Sequence, residues 1–102
     1  MLIHMKVNFE KVLTTMDGEP LKDGQEKLTL KSVCVNALLA TISGDTPSGE
    51  EKLTRYLLAN QIYTDNEIEL NSEDVSKIKK MVGMSFPTIV VGQAFQMLEG
   101  KL

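Results

Sequence analysis

Apolar and polar positions alternate, with one interruption, over residues 7–16, and this period of two predicts a β-strand. The dipeptide Asp17-Gly18 that follows is typical of a tight hairpin turn. The return segment, residues 19–22, contains Pro20, which cannot donate a backbone hydrogen bond and therefore belongs at a sheet edge. A second turn dipeptide, Asp23-Gly24, ends that segment. The first quarter of the chain thus predicts a β-hairpin.

The next stretch has the helical period. Thr29 is placed to cap a helix that begins near Leu30. At about 100° per residue, the apolar positions of this helix cover more than half of its circumference. They are Leu30, Val33, Cys34, Val35, Ala37, Leu38, Ala40 and Ile42. A helix that is apolar on most sides is buried on most sides, so we expect it at the centre of the fold.

A second helix is predicted after the loop at residues 43–47. Ser48 and Glu51 match the Ser-x-x-Glu capping box, and the helix extends toward residue 63. Glu51 and Arg55 are four residues apart, which is typical of a mild surface ion pair. We expect the main buried stripe to comprise Leu53, Tyr56, Leu57 and Tyr63. Leu58 and Ile62 lie on a separate face.

The second half of the chain predicts a short strand and two more helices. Residues 67–70 alternate like a strand that could extend the hairpin into a small sheet. A third helix follows a cap at Asn71 or Ser72 and ends at Gly83, with lysines in its last turn. Its compact apolar stripe is Val75, Ile78, Met81 and Val82. A fourth helix is expected from about residue 85 to Gly100.

Together these elements predict an α+β fold in one domain over residues 1–102. An N-terminal β-hairpin, with residues 67–70 as a candidate extra strand, packs on a bundle of about four helices. The length of 102 residues, with 42% hydrophobic and 25% charged residues, suits a single globular core.

Charge and composition narrow the classes of function. A net charge of −3 gives no electrostatic reason to expect nucleic acid or an anionic membrane as a partner. No apolar run approaches the roughly 20 residues that span a bilayer. The first six residues lack the pattern of a signal peptide, and a single cysteine cannot form an internal disulfide. We therefore expect a cytoplasmic protein. Met5 resembles a natural start, so residues 1–4 are expected to be an upstream extension.

The residues that carry chemistry are few. His4 is the only histidine and lies in a terminal segment, where nothing holds it for acid–base work. Cys34 falls within an apolar arc rather than beside a base or a second cysteine. One cysteine and one histidine cannot complete a zinc site. The paired carboxylates all suit helix N-termini or solvent-facing strand positions. We therefore expect no enzyme, no metal, no cofactor and no small-molecule substrate.

Residues 72–99 raise an alternative, a small DNA-binding regulator with a helix-turn-helix-like pair of helices. Gly83 would lie in the turn, and Lys77, Lys79 and Lys80 would supply positive charge. The supposed recognition helix, however, contains no lysine or arginine from residue 86 to 99. Reading a groove requires side chains that reach phosphates and base edges, so this alternative ranks second.

Protein binding or self-association is the leading hypothesis. The apolar face of the fourth helix is wider than one packed stripe requires. The candidate partner-binding residues are Leu58, Ile62, Ile89, Val91 and Phe95. Gly92, which lies among them, is expected to allow close packing of a neighbouring element.

Several stretches also resemble small proteins encoded in tailed-phage and prophage genomes. They are Lys6 to Val12, Asp17-Gly18, Leu28-Thr29-Leu30-Lys31 leading into Asn36-Ala37-Leu38-Leu39, and Val91-Gly92-Gln93-Ala94 to Leu98-Glu99-Gly100. The resemblance covers most of the chain from Met5 onward. It implies a bacterial cytoplasmic setting and an accessory or assembly role, and it carries over no catalytic or binding residues. A β-turn-β start followed by helices is also similar in outline to small tail-assembly chaperones.

Overall fold

The structure, a computed structural model that describes residues 5–101, has the predicted α+β architecture. Its strands are β1 (Met5–Asn8), β2 (Lys22–Asp23), β3 (Glu26–Lys27) and β4 (Glu67–Leu70). Its helices are α1 (Leu30–Leu39), α2 (Gly49–Thr64), α3 (Ser72–Ser85) and α4 (Thr88–Leu98). The expectations for residues 1–4, including His4, lie outside the described residues.

Two small antiparallel sheets form within the described residues. β1 pairs with β4, so that Met5 lies opposite Leu70 and Val7 opposite Ile68. Ile68 and Leu70 are buried, whereas the two glutamates of β4 are exposed. This alternation confirms that residues 67–70 are a strand with one face on the core. The partner strand β1 includes Val7 and Asn8, the start of the first strand predicted for the hairpin, so residues 67–70 extend that strand into a small sheet. A second, separate sheet forms from β2 and β3.

The long strand predicted for residues 7–16 is wrong in its extent. β1 ends at Asn8 because its partner strand has only four residues, and Phe9 N–H makes the last bond, to Asn66 O at 2.7 Å. The chain then crosses to the start of α1, where Phe9 O accepts from Lys31 N–H. Beyond Asn8, the hairpin predicted around Asp17-Gly18 is present as an isolated antiparallel bridge between Thr14 and Pro20.

Both Asp-Gly dipeptides form turns, in different ways. Gly18 has φ of +88° and Gly24 φ of +70°, values that favour glycine. The turn at Gly18 connects the bridged segments, as predicted. The turn at Gly24 does not end the pairing, since it is the tip of the β2–β3 hairpin, in which Asp23 lies opposite Glu26.

α1 lies at the centre of the fold, as its apolar circumference predicts. It packs against α2, α3 and α4, and it buries Leu30, Val33, Cys34, Ala37 and Leu38. The side chain of Thr29 accepts from Ser32 N–H, and Ser32 reciprocates, so a capping box starts the helix. The helix ends at Leu39, which leaves Ile42 in the following loop, still packed against the core.

α3 begins as predicted and ends two residues later than predicted. Asn71 caps it by accepting from Asp74 N–H at 2.8 Å. The expected stripe of Val75, Ile78, Met81 and Val82 is buried. Gly83 does not end the helix, because the backbone remains helical to Ser85. Pro87 is the physical stop, since proline disfavours the helical conformation in the residue before it.

α4 follows after only two connecting residues, with Pro87 at its N-cap position rather than in its first turn. Val90, Ala94, Met97 and Leu98 face the core. Gly100, with φ of +77°, lies just past its end, as predicted for a helix stop.

Candidate interaction surface

The two faces of α2 are oriented opposite to the prediction. The buried side chains of this helix are Arg55, Leu58, Ala59 and Ile62. The expected core stripe is exposed instead, with exposed fractions of 51% for Leu53, 57% for Tyr56, 55% for Leu57 and 68% for Tyr63. Both sets have helical spacing, so periodicity alone allows either face to point inward. We name the exposed set the outer α2 face.

Leu58 and Ile62, two of the predicted partner-binding residues, are therefore core residues. Their exposed fractions are 6% and 0%. The buried face also carries Ala59, which is 2% exposed and whose small side chain favours close helix packing. Hydrophobic side-chain volume favoured the other face, which holds two leucines and two tyrosines.

The other three predicted partner-binding residues, Ile89, Val91 and Phe95, lie on α4 and are half-buried against the core. Lys79 Nζ lies 4.9 Å from the centre of the Phe95 ring, a cation–π contact within the molecule. Because Leu58 and Ile62 are buried, the five residues do not form one exposed surface.

The outer α2 face is unusual in its lack of charge. From Leu53 to Thr64 the chain contains twelve residues, and Arg55 is the only charged one among them. Arg55 is itself buried. In a protein of which 25% of residues are charged, this leaves an exposed helical surface of about three turns without an exposed charge.

A cleft adjoins this face at the N-terminal half of α2. It has a volume of about 570 Å³ and is lined by Leu39, Ile42, Pro47, Lys52 and Tyr56, among others. Leu39, at the end of α1, is 55% exposed. The apolar surface of α2 therefore continues across the cleft onto the end of α1.

A polar cluster holds the N-terminal half of α2 in place. Arg55 donates from Nη1 to Asp45 Oδ2 at 2.7 Å and from Nε to Glu51 Oε2 at 3.0 Å. Lys77 of α3 donates to the other Glu51 oxygen at 2.9 Å. These bonds join the α1–α2 loop, α2 and α3. The Glu51–Arg55 spacing is evident in the sequence, whereas the burial of Arg55 and the contributions of Asp45 and Lys77 are not.

The positive charges of this cluster lower the pKa values of its two carboxyl groups. The hydrogen bond from Arg55 lowers the pKa of Asp45, and those from Lys77 and then Arg55 lower the pKa of Glu51. Both carboxyl groups are therefore held in the ionised form. A general acid at neutral pH requires a raised pKa, and neither group has one.

The C-terminal half of α2 is fastened separately. Lys31 Nζ donates to Tyr63 O at 3.1 Å and to Asn66 Oδ1 at 2.8 Å. With the polar cluster at the other end, α2 is held at both ends against α1 and α3. Its outer face is consequently presented on a fixed element, as preorganised binding requires.

Several side chains that suggested a helix-turn-helix pair make contacts within the molecule. Lys77 pairs with Glu51, and Lys79 pairs with Glu99 at 2.6 Å. On α4, both polar atoms of the Gln93 side chain bond to the backbone of Thr14. These contacts occupy two of the three lysines and one of the few polar side chains available for reading a groove.

Gly92 is exposed, and the expected close packing at this position is wrong. A Cβ atom built on Gly92 would have no heavy atom within 4 Å. The glycine instead lines a shallow depression between the segment at residues 14–16 and α4, beside Thr88, Ile89 and Gln96.

Cys34 is fully buried, and burial raises the pKa of its thiol. The neutral thiol is a poor nucleophile and a poor metal ligand. Among residues 5–101, no three His, Cys, Asp or Glu side chains group closely enough to hold a metal ion. In the same part of the chain, no helix has the length and apolar character that crossing a membrane would require.

Comparisons with protein-family models, with curated proteins and with solved structures gave no match.

Proposed function

We propose that this chain is a non-catalytic protein-binding module whose binding surface is the outer α2 face. One observation carries the proposal: four large apolar side chains, each at least half exposed, share a helical surface without an exposed charge. Contiguous apolar patches on soluble proteins mark interaction sites, whereas scattered apolar residues need no such explanation.

The composition of the face supports the proposal. Cores of protein interfaces are depleted in charged residues and enriched in aromatic ones, and this face combines two leucines with two tyrosines. Tyrosine contributes a large apolar area together with a hydroxyl that tolerates partial hydration. Covering such side chains stabilises a complex by about 25 cal/mol for each Å² of apolar surface removed from water.

The resemblance to small phage and prophage proteins supplies a setting for this role. An accessory or assembly protein in a bacterial cytoplasm acts by contact with other proteins and needs no catalytic centre. The polar cluster around Arg55 is consistent with this view, because its charges neutralise one another and fix the position of α2.

Site-specific photo-crosslinking tests the proposal in the organism that carries the gene. A benzoylphenylalanine residue replaces Tyr56 on the outer α2 face, or Gln25 at the tip of the β2–β3 hairpin as a control. We expect a discrete adduct with a protein chain from position 56 and none from position 25. Leu57→Glu should abolish the adduct, because it places a charge at the centre of the face.

The matched control variant is Met16→Glu, which introduces the same charge at an apolar residue that is 92% exposed elsewhere. It should leave the adduct at position 56 unchanged. Equal adduct formation from positions 56 and 25, or an adduct that survives Leu57→Glu, would rule out the outer α2 face as the binding surface.

A further inference from the structure

We propose that the cleft beside the outer α2 face is a binding site for a small apolar carboxylate, a free molecule with an apolar body and one carboxylate group. The site shares only Tyr56 with the outer α2 face, and it does not depend on the function proposed for that face. Three features support it: the size of the cleft, its apolar lining, and a positive charge without a partner among the described residues.

The cleft has the size of a ligand pocket and a continuous apolar lining. Its volume of about 570 Å³ lies within the range of roughly 300–1,000 Å³ that is typical of small-molecule sites. The apolar side chains come from three segments: Leu39 at the end of α1, Ile42 and Pro47 in the α1–α2 loop, and Tyr56 on α2. Leu39 and Tyr56 are each more than half exposed, and Ile42 and Pro47 are half-buried. These side chains therefore offer apolar surface that a ligand can remove from water.

The buried guanidinium of Arg55 is one of the polar groups that line the cleft. Its Nη1 donates to Asp45 and its Nε to Glu51, whereas Nη2 donates to no group among residues 5–101. Within the same residues, the only fully buried side-chain polar atom without a hydrogen-bond partner is Ser85 Oγ. Nη2 is therefore accessible from outside the protein, and its two N–H donors are available to an anion.

Lys52 supplies the charge that a ligand would neutralise. It lines the cleft, is exposed, and forms no ion pair with any described residue. The neighbouring polar cluster is neutral as a whole, because the carboxylates of Asp45 and Glu51 balance the charges of Arg55 and Lys77. The Lys52 ammonium is therefore the uncompensated charge of the cleft.

An apolar carboxylate matches both kinds of wall. Lys52 and Arg55 are three residues apart on α2 and so are neighbours on the helix surface, where one carboxylate can accept from both. A neutral apolar molecule would take water from the Lys52 charge without replacing it, and a cation would be repelled. The hydrogen bond from Arg55 lowers the pKa of Asp45, so this carboxyl group stays ionised and offers no acid to a ligand. The site therefore binds its ligand without transforming it.

An NMR titration of the nitrogen-labelled full chain with octanoate tests the proposal. Octanoate should bind with a Kd of about 0.1–10 mM, the range expected for a ligand of about ten non-hydrogen atoms. Its shift changes should centre on residues 38–56, which line the cleft. Octanol, which lacks the charge, and octylammonium, which reverses it, should each bind at least about five-fold more weakly.

Two variants separate the charge from the apolar lining. Lys52→Gln should weaken octanoate binding about three- to ten-fold and leave octanol binding unchanged, because it removes only the charge. Leu39→Ser should weaken the binding of both ligands, because it shortens the apolar wall. Lys27→Gln, at an exposed lysine of β3, is the matched control and should bind octanoate like the wild type. All three positions are exposed, and the spectrum of each free variant reports whether it is folded.

The proposal is overturned if octanol or octylammonium binds as tightly as octanoate, or if Lys52→Gln binds octanoate like the wild type. Shift changes centred outside residues 38–56, or none at about 10 mM octanoate, would also overturn it. Leu57→Glu distinguishes this site from the proposed protein-binding surface. Leu57 does not line the cleft, so the variant should lose the crosslinked adduct and keep its octanoate binding.

Discussion

The side-chain amide of Gln93 pairs with both backbone polar groups of Thr14. Gln93 Oε1 accepts from Thr14 N–H at 2.9 Å, and Gln93 Nε2 donates to Thr14 O at 2.7 Å. Next to it in the chain, Leu13 N–H donates to Leu28 O, and Leu13 O accepts from Leu21 N–H. The amide therefore takes the place of a neighbouring strand and satisfies an edge that would otherwise be unpaired.

Loss of this amide should destabilise the fold. Gln93→Ala leaves a partly buried N–H and C=O of Thr14 without their partners, at a cost of about 1–3 kcal/mol in the free energy of unfolding. Urea denaturation followed by circular dichroism measures it. Gln96→Ala, an exposed glutamine on the same helix, is the control and should change stability by less than about 0.5 kcal/mol. Equal effects of the two substitutions would show that the Thr14 contact contributes nothing.

Two adjacent leucines of α2 provide the most direct test of which face of this helix is buried. Leu58→Ala should cost about 2–4 kcal/mol, because it creates a cavity in the core. Leu57→Ala, one residue earlier and half exposed, should cost less than about 1 kcal/mol. Urea titration at low protein concentration compares them, and the chemistry of the two substitutions is identical. A larger loss at Leu57 would contradict the observed orientation of α2.

The elements of this fold could be predicted wherever local signals were strong. Thr29, Ser48 and Asn71 mark the starts of three helices, because a side-chain acceptor at the N-cap is a local requirement of the backbone. Alternation of apolar and charged residues likewise predicts β4. These features depend on neighbouring residues and therefore appear in the sequence.

The candidate surface could not be predicted, because the orientation of α2 is set by the rest of the molecule. Ala59 and Arg55 lie on the buried face, and Arg55 is paired there with Asp45 and Glu51. Asp45 lies ten residues before Arg55, in a loop whose path the local sequence does not define. The end of α3 was missed for a related reason, since Gly83 tolerates a helical backbone as well as a turn.

Cys34 should be protected from thiol reagents in the folded protein. It is fully buried and burial raises the pKa of its thiol, so the reactive thiolate is scarce and inaccessible. Labelling with a chromogenic disulfide should be slow in native buffer and complete within minutes in 6–8 M urea, concentrations at the upper end of ordinary denaturant titrations. Leu58→Ala should accelerate native labelling by raising the unfolded population. Rapid labelling of the native wild-type chain would indicate that α1 is not central.

The polar cluster around Arg55 should make stability depend on pH in the acid range. The pKa values of Asp45 and Glu51 are lowered in the folded protein, so in this range the unfolded chain binds more protons than the folded one. The stabilisation is therefore complete above the ordinary values of 3.8 and 4.5, and it is lost as the pH falls through the lower folded-state values. Arg55 stays protonated throughout this window and contributes no pH dependence of its own.

Replacement of Arg55 isolates this contribution. Arg55→Met removes the hydrogen bond that is the main cause of the lowered Asp45 pKa and one of those that lower the Glu51 pKa, while Lys77 continues to act on Glu51. We expect the variant to be less stable than the wild type at pH 7, because two carboxylates lose the hydrogen bonds that Arg55 donates. Its urea midpoint should then vary less between pH 5 and pH 2.5 than that of the wild type. Lys52→Met, at an exposed position of the same helix, should follow the wild-type pH dependence. If the curves for Arg55→Met and the wild type were parallel, the acid sensitivity would come from other carboxylates, with Glu99 beside Lys79 the next to test.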